Sequence, residues 1–244
     1  VRQPDQILAA GISSTEISCH DDSDASVSLV VWGGTPNYTY LWNNGANSQN
    51  LQDVSSGNYS VTITDNKSCT VSKSVNISNP PELTYNNTYS TDNNCYGEAN
   101  GTVGLDVMGG TLPYNFSWAN SQYVLSYDTA NLNNLVEDNY YLTVTDAHGC
   151  SFTNVFTVNS PEELEISVDN VTDASAYGAT DGSIYVSISG GTPPYGKNWT
   201  NGATTEDITN ISAGIYTLEV VDANGCTKSI DIEVTQPTSA LEYT

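Results

Sequence analysis

The sequence has 244 residues, of which 5 are lysine or arginine and 28 are aspartate or glutamate, so its formal net charge is −23. Such an acidic chain repels nucleic acids and anionic membranes, and it attracts divalent cations or basic partners. No apolar run is long enough to span a bilayer, and no secretion signal is recognisable at the N-terminus. We therefore expect no nucleic-acid partner and no insertion into a membrane.

A repeated set of residues divides the chain into three copies. Each copy has a Gly-Gly-Thr string, beginning at Gly33, Gly109 and Gly190, with a Tyr five residues and a Trp nine residues after the first glycine. Because the copies follow one another with almost no linker, we expect closely stacked modules. The repeat also predicts a longer parent protein. The predicted units are residues 1–80, 81–161 and 162–237, with residues 238–244 as the start of a further repeat.

In chain order, the first strong strand signal of each copy alternates apolar and polar residues with a period of two, as at Val27, Leu29 and Val31. The Gly-Gly-Thr string and the Trp follow, and then come a Tyr-initiated strand and a final alternating strand. Short strands at this spacing predict an all-β fold of three tandem immunoglobulin-like antiparallel β-sandwich modules. We expect the tryptophans in the core between the sheets and the later tyrosines at tyrosine corners: Trp42, Trp118 and Trp199, and Tyr59, Tyr140 and Tyr216.

The middle copy is longer than the other two. Its Trp and its strand-initiating Tyr are 22 residues apart, whereas the same pair is 17 residues apart in the first and third copies. Five extra residues are therefore inserted near positions 121–128.

The five cysteines suggest a disulfide framework. The first two copies each hold two cysteines, at separations of 50 and 55 residues, and the difference of five matches the insertion. In the third copy Ala176 stands where one partner would be. We predict disulfides Cys19–Cys69 and Cys95–Cys150, and a free thiol at Cys226.

Such disulfides would close loops of about 50 residues, stabilising each small module by roughly 4 kcal/mol, and they imply an oxidising, extracellular setting. Buried free thiols are the alternative. Metal ligation by the cysteines is disfavoured, because neither a Cys-x-x-Cys motif nor a histidine cluster accompanies them.

The third copy carries the fullest set of repeated residues. It has Gly-Gly-Thr-Pro-Pro-Tyr from Gly190, Trp-Thr-Asn-Gly-Ala-Thr-Thr-Glu-Asp-Ile from Trp199, Ala-Gly-Ile-Tyr from Ala213 and Asp-Ala-Asn-Gly-Cys from Asp222. This set resembles the SprB repeat family, which is found in very large cell-surface adhesins of gliding Bacteroidetes. The resemblance extends over all three copies.

The resemblance implies a filamentous adhesin that is exported by type IX secretion, held at the outer-membrane surface and moved along the cell during gliding. Its expected partners are adjacent repeats, extracellular surfaces or polysaccharide, and the gliding machinery through regions outside this fragment. We therefore predict a structural and adhesive repeat segment. The alternative is a discrete carbohydrate-binding module of a secreted Bacteroidetes protein, and exposed Trp32, Tyr123 and Tyr127 are the aromatic candidates for it.

Catalysis is not predicted. The two histidines, His20 and His148, occupy non-equivalent positions, and neither a nucleophile-elbow motif nor a metal-binding histidine pair is present. The threefold repetition also disfavours an active site, since catalytic sites are rarely triplicated in stacked sandwich modules.

Acidic loops suggest one cofactor, calcium, because carboxylate oxygens are suitable ligands for this hard cation. The alternative is that the aspartates only shape turns. The candidate ligands are Asp21, Asp22 and Asp24 in one loop, and the recurring Asp65, Asp146 and Asp222. A separate modification site is predicted at Thr129, because Asp128-Thr129-Ala130 fits the short O-glycosylation pattern that the family context suggests.

Overall fold

The computed structural model describes residues 6–238, so the predicted further repeat lies outside the described residues from position 239 onward. The described residues form nineteen strands. Module 1 has six strands, β1 (Ala9–Ser14), β2 (Ala25–Trp32), β3 (Thr39–Trp42), β4 (Leu51–Val54), β5 (Gly57–Thr64) and β6 (Thr70–Ile77). Module 2 has seven strands, β7 (Thr84–Thr91), β8 (Gly101–Met108), β9 (Asn115–Ala119), β10 (Val124–Leu125), β11 (Asn131–Leu135), β12 (Asp138–Thr145) and β13 (Ser151–Val158). Module 3 has six strands, β14 (Glu165–Thr172), β15 (Gly182–Ser189), β16 (Gly196–Trp199), β17 (Ile208–Ile211), β18 (Gly214–Val221) and β19 (Thr227–Val234).

The six sheets form three sandwiches. In module 1 one sheet has the order β1-β2-β4 and the other β3-β5-β6, with antiparallel pairing, and the other modules repeat this arrangement. In immunoglobulin nomenclature these are strands A-B-E and C-F-G, without strand D. The predicted fold class, three tandem immunoglobulin-like sandwiches, is confirmed. No helix long and apolar enough to cross a membrane occurs in residues 6–238.

Each sandwich encloses its own hydrophobic core. In β2 the side chains of Val27 and Leu29 are buried, while Ser28 between them and Val30 after them point outward, as the period of two in a strand requires. A Trp from strand C fills the centre of every core, and its indole N–H donates to a backbone carbonyl, so the burial leaves no unsatisfied donor. The tryptophans are Trp42, Trp118 and Trp199, and their acceptors are the carbonyls of Ser48, Thr129 and Thr205.

The strand-initiating tyrosines form the predicted tyrosine corners. The hydroxyl of Tyr140 donates to the carbonyl of Val136, four residues earlier, at 3.0 Å. This bond ties the start of strand F to the corner that precedes it. The same bond recurs in the other modules, from Tyr59 to the Ser55 carbonyl and from Tyr216 to the Ser212 carbonyl, both at 2.9 Å.

The insertion of the middle copy forms an extra strand. β10 pairs antiparallel with β9 and extends the C-F-G sheet of module 2 to four strands. This is the position at which variable-type immunoglobulin domains add strand C′. The C-F-G sheet of module 2 therefore ends at β10, whereas the same sheet in modules 1 and 3 ends at strand C.

Each module has two ends with different loops. The A–B loop lies at the same end as the E–F corner, since Ala25 at the start of β2 pairs with Val54 at the end of β4. Strand F then runs the length of the module, so the F–G turn lies at the opposite end. We call the first set the Cys loops, residues 18–24, 94–100 and 175–181. We call the second set the Asp turns, residues 65–69, 146–150 and 222–226.

The predicted pairing of the cysteines within modules is wrong. Cys19 lies in a Cys loop and Cys69 in an Asp turn, so an eight-residue strand, about 25 Å long, separates them. A disulfide requires Cα atoms within about 7 Å. The structure instead bonds the Cys loops of modules 1 and 2 to the Asp turn of the next module, through Cys19–Cys150 and Cys95–Cys226, and it leaves Cys69 rather than Cys226 free.

Candidate functional site

The two inter-module junctions are built around the disulfides. In Cys19–Cys150 the Cα atoms lie 5.5 Å apart, and in Cys95–Cys226 they lie 5.7 Å apart. Both bonds connect cysteines 131 residues apart in the sequence. Each bond joins the loop end of one module to the turn end of the next, so the modules are linked head to tail by the same covalent contact.

A buried aspartate shapes the turn that presents the second cysteine of each bond. Asp146 Oδ1 accepts from the backbone N–H groups of His148, at 2.9 Å, and Cys150, at 3.0 Å. Its Oδ2 accepts from the N–H of Thr111, at 2.8 Å, in the Gly-Gly-Thr string. The carboxylate thus fixes the turn and ties it to the B–C loop. Asp65 and Asp222 make the same three bonds in their modules.

These bonds also set the protonation of the aspartates. Burial alone would raise the pKa of Asp146 and of Asp222, but the backbone N–H donors outweigh it, and each pKa lies below its ordinary value. The pKa of Asp65 is lowered first by the N–H of Thr35 and then by the donors of its own turn. All three side chains are therefore carboxylates that serve as hydrogen-bond acceptors at neutral pH.

The two glycines of the repeated string are required by close approaches at the turn end. A Cβ on Gly109, whose φ is +70°, would lie 1.8 Å from the carbonyl oxygen of Glu82 in the segment that enters module 2. A Cβ on Gly110 would lie 2.9 Å from Asp146 Oδ2. The string therefore marks the place where the entering chain, the B–C loop and the Asp turn meet.

The Cys loops share one backbone arrangement. The N–H of Ser18 donates to Asp24 Oδ1 at 3.1 Å, and the hydroxyl of Ser18 bonds the other carboxylate oxygen. Module 2 repeats the first bond between Asn94 and Asn100, and module 3 repeats it between Ser175 and Asp181. The loop closes in the same way whether its second residue is cysteine, as in modules 1 and 2, or alanine, as in module 3.

Both histidines lie at the first junction. His20 follows Cys19, and its Nδ1 lies 2.7 Å from the carbonyl oxygen of Pro80. The hydroxyl and the N–H of Ser18 hold the pKa of Asp24 in module 1 below its ordinary value, and His148, in the Asp turn of module 2, makes a smaller contribution in the same direction. At this junction, charged and hydrogen-bonding groups of the two modules face each other around the disulfide.

The second junction has different side chains around its disulfide, Cys95–Cys226. Asn224 donates from Nδ2 to the carbonyl of Asn94 in module 2 at 2.9 Å. Lys228 pairs with Glu163 at 2.8 Å, and this hydrogen bond raises the pKa of the lysine. An open groove of about 330 Å³ runs along this junction, between the Cys loop of module 2 and the segment that enters module 3.

Five of the six predicted calcium ligands accept hydrogen bonds from other groups of the chain, and the sixth, Asp22, is exposed in its loop. The recurring aspartates cap the Asp turns, Asp24 caps its own loop, and Asp21 accepts from Asn79 Nδ2 at 2.7 Å. Within residues 6–238 no group of three or more histidine, cysteine or acidic side chains is placed to hold a metal ion. The turn-shaping alternative is the one that the hydrogen bonds describe.

The remaining predicted residues lie on the surface. Thr129 is exposed at the end of the insertion, and its Oγ1 lies 3.4 Å from the Asn131 carbonyl. Trp32 is about half exposed on module 1, whereas Tyr123 and Tyr127 are exposed on the insertion of module 2. The aromatic candidates thus belong to two different modules and to non-equivalent positions.

The inter-module pairing had a signal in the sequence. Cys19 and Cys150 are as far apart as Cys95 and Cys226, whereas the within-module separations of 50 and 55 are unequal. Each of the two 131-residue spans contains the insertion, so their equal length fits inter-module pairs, just as the insertion explains the unequal within-module separations. The signal becomes decisive only when the Cys loop and the Asp turn are known to lie at opposite ends of a module.

The fold and the junctions define a tandem immunoglobulin-like repeat protein whose modules are joined head to tail by disulfides. The SprB repeat model matches residues 11–47, 87–122 and 168–204, one segment in each module. Each of the three modules therefore carries a segment that matches the SprB repeat. The comparison with curated proteins gave no match.

Solved structures similar to the chain are immunoglobulin-domain proteins. The chain is 14% identical to the N-terminal eight Ig domains of Down Syndrome Cell Adhesion Molecule, with a TM-score of 0.48, covering 94% of this chain and 36% of that chain. It is 12% identical to domains 3–5 of Drosophila OTK, with a TM-score of 0.32 and coverage of 90% and 93%. It is 10% identical to the mouse nectin-like molecule 4 ectodomain, with a TM-score of 0.35 and coverage of 96% and 96%. The chain thus spans about a third of the first structure.

Proposed function

We propose that the chain is a force-transmitting, adhesive repeat segment of a large bacterial cell-surface adhesin. The observation that carries this proposal is the pair of inter-module disulfides. A module that worked alone would gain nothing from a bond between its loop end and the next module. A chain that must hold its shape between two attachment points gains a fixed angle at every bonded junction.

The short linkers support the same function. Six residues separate β6 from β7, and six separate β13 from β14, with prolines in both segments. Each linker and each disulfide form two separate connections between the same two modules. Two connections remove the hinge that a single short linker would leave, so bending has to distort the modules themselves.

The surface supports adhesion that is shared over many copies. The chain carries a net charge of −23 in its sequence, which keeps neighbouring filaments apart and favours basic or cation-bridged surfaces. Its SprB repeats support a location at the outer surface of the outer membrane, reached by type IX secretion. Extracellular surfaces or polysaccharide are the proposed contacts, with gliding driven by machinery bound elsewhere in the parent protein. No catalytic step is part of this function.

Small-angle X-ray scattering tests the mechanical part of the proposal. The oxidised chain is compared with a variant carrying Cys19→Ser, Cys95→Ser, Cys150→Ser and Cys226→Ser. We expect one extended shape with a narrow range of maximum dimensions for the oxidised chain, and a broad range for the variant. Equal breadth in both samples would show that the disulfides do not stiffen the chain.

Bead tracking tests the adhesive and gliding part. Beads coated with an antibody against this chain are added to intact cells that express the parent protein. We expect the beads to bind at the cell surface and to travel along it, whereas beads with an unrelated antibody do not bind. Beads that bind but stay in place would support the location at the cell surface and contradict the role in gliding.

A further inference from the structure

The two disulfides leave two positions of the repeat without a bond. Cys69 has in module 1 the position that Cys150 and Cys226 have in their modules. Ala176 has in module 3 the position of Cys19 and Cys95. Within residues 6–238, Cys69 is the free cysteine, and it is exposed.

The turn around Cys69 has the same geometry as the two bonded turns. Asp65 Oδ1 accepts from the N–H of Cys69 at 2.9 Å, and its Oδ2 accepts from the N–H of Thr35 at 2.8 Å. The N–H of Asp65 donates to the carbonyl of Cys69 at 2.9 Å, the same distance as in the turns of modules 2 and 3. Two turns of this construction in the same chain each hold a disulfide to a neighbouring module.

We propose that the turn end of module 1, centred on Cys69, is a docking surface for the Cys loop of a further SprB module on its N-terminal side. That loop carries a cysteine, as in modules 1 and 2, and it closes a third inter-module disulfide with Cys69. The surface is the continuation of an interface that the chain already forms twice.

Exposure supports this assignment. Cys150 and Cys226 are partly buried, and each is bonded to the Cys loop of the preceding module. Cys69, in contrast, is exposed, and no Cys loop of the described residues lies over it. The turn of module 1 therefore has the conformation of the two bonded turns without a disulfide. The bonded modules show which partner such a turn binds.

Charge supports the same partner. Lys67 stands where His148 and Asn224 stand in the bonded turns, and it is one of only 5 lysine or arginine residues in the chain. Asn224 donates to a carbonyl of the preceding Cys loop. The Cys loops are acidic, with three aspartates in module 1 and one acidic residue in each of the others. A lysine ammonium at this position offers both a donor and an opposite charge to such a loop.

The entering chain follows the same path in all three modules. The N–H of Gly34 donates to the carbonyl of Gln6 at 2.9 Å, just as Gly110 donates to Pro81 at 3.1 Å. Module 3 repeats the bond from Gly191 to Glu162 at 2.9 Å. A module attached ahead of Gln6 therefore approaches the Asp turn from the direction that modules 1 and 2 take at their own junctions.

The bond forms by thiol–disulfide exchange with a small disulfide oxidant. The Cys69 thiolate attacks one sulfur of the oxidant, which gives a mixed disulfide and releases one thiol. The thiolate of the docking loop then attacks Cys69 Sγ and releases the second thiol. Two protein thiols lose two electrons in total, and the oxidant is reduced to two thiols that take up the two protons.

A tandem of two copies of the chain tests the proposal. Pro237 of the first copy is followed directly by Gln6 of the second, which reproduces the connection between Pro80 and Pro81. Ala176→Cys in the first copy supplies a loop thiol in a loop that already has the required backbone. Thr180→Cys in the first copy is the matched control, because it places a thiol at another exposed position of the same loop. Both tandems are oxidised with oxidised glutathione, and their free thiols are counted by alkylation and mass spectrometry.

We expect one free thiol in the Ala176→Cys tandem, that of Cys69 in the first copy, and a peptide that links the new thiol to Cys69 of the second copy. We expect three free thiols in the Thr180→Cys tandem and two in the unsubstituted tandem. Three free thiols in the Ala176→Cys tandem would overturn the proposal, as would equal linkage by Thr180→Cys. Peptides containing Cys19–Cys150 and Cys95–Cys226 report that both copies are folded.

The inference deepens the proposed function by naming a partner, and it rests on that function only for the existence of further repeats. Its test counts a covalent bond and does not measure stiffness or adhesion. A failed linkage would leave the scattering and bead results untouched. Conversely, a chain that proves flexible or non-adhesive could still form the third disulfide.

Discussion

The Cys loops of module 1 and module 3 have the same backbone but different chemistry. In both loops the second residue's carbonyl accepts an N–H three residues later, at 3.1 Å from Asp22 and at 3.0 Å from Ala179. In module 1 that second residue is Cys19, bonded to module 2, and in module 3 it is Ala176. The loop therefore forms without the disulfide. The bond sets the relation between modules and not the shape of the loop.

The interior of each module is held together without a disulfide. Each core is closed by a buried Trp, a tyrosine corner and alternating strand residues, with no disulfide between its two sheets. Folding is determined inside a module, and placement is determined at its ends. Substitutions in the interior and at the junction should therefore have separable effects.

The largest expected effect comes from an interior substitution. Trp118→Ala removes the side chain at the centre of the module 2 core, and it should lower the free energy of unfolding of that module by about 3–5 kcal/mol although both disulfides remain. Urea denaturation followed by circular dichroism measures the loss. Trp32→Ala is the control, since this Trp is about half exposed, and a loss as large as that of Trp118→Ala would contradict the assignment of the core.

A junction substitution should change placement more than folding. Cys19→Ser together with Cys150→Ser removes the first inter-module bond. The unfolding free energy should fall by about 2 kcal/mol or less, at the low end for disulfides, because the bond restrains the folded junction as well as the unfolded chain. Residual dipolar couplings should show modules 1 and 2 losing their common orientation while backbone shifts inside each module stay unchanged. Widespread shift changes within module 1 would mean that the bond also supports its fold.

A smaller effect is expected at a tyrosine corner. Tyr140→Phe removes only the hydroxyl that donates to the Val136 carbonyl, so it should lower the unfolding free energy of module 2 by about 1 kcal/mol. Tyr141→Phe is the control, because Tyr141 is the next residue in the same strand and its ring is about half exposed. Thermal unfolding compares the two variants, and equal melting temperatures would remove the stabilising role of the corner.

The smallest effect concerns the pH dependence of an Asp turn. The pKa of Asp146 is lower in the folded chain than in the unfolded chain, so the carboxylate contributes stability above about pH 4 that is lost as the pH falls through the folded pKa. Asp146→Asn keeps one acceptor oxygen but places an N–H group opposite the N–H of Thr111. We expect this variant to have a lower melting temperature near neutral pH than the unsubstituted chain. Its melting temperature should also fall less between about pH 5 and pH 2, roughly the range in which aspartate titrates.

The exposed residue Asp128 provides the control for this titration. Asp128→Asn removes a carboxylate from the insertion without touching an Asp turn, so the melting curve should keep the pH dependence of the unsubstituted chain. If Asp146→Asn and Asp128→Asn gave the same pH dependence, the hydrogen bonds of Asp146 would not be its source.

The strands, the tryptophans and the tyrosine corners could be predicted because each depends on local pattern. Alternation places Val27 and Leu29 on one face, and a Tyr at the start of strand F reaches a carbonyl four residues back. The cysteine pairing could not be predicted in this way, because it depends on which ends of two modules meet. Similarly, Asp146 is a plausible metal ligand by residue type, and only the positions of three N–H donors show how its oxygens are used.

The order of the cysteines gives the two disulfides a topological consequence. The bonds interlace, because Cys95 lies inside the loop closed by Cys19 and Cys150, and Cys150 lies inside the loop closed by Cys95 and Cys226. Between Cys19 and Cys226 the shortest covalent path crosses both bonds and uses only the 55 residues (150 − 95) between Cys150 and Cys95. Even with every module unfolded, this path extends to about 190 Å, against about 700 Å for the unbonded backbone.

Interlacing also protects the connection against cleavage. A single cut of the backbone anywhere between Cys19 and Cys226 leaves at least one unbroken covalent path between the two ends. Disulfides confined to single modules would lack this property, since one cut between Cys69 and Cys95 would separate the chain. The segment from Cys19 to Cys226 can therefore be cut once by a protease and stay covalently connected from end to end.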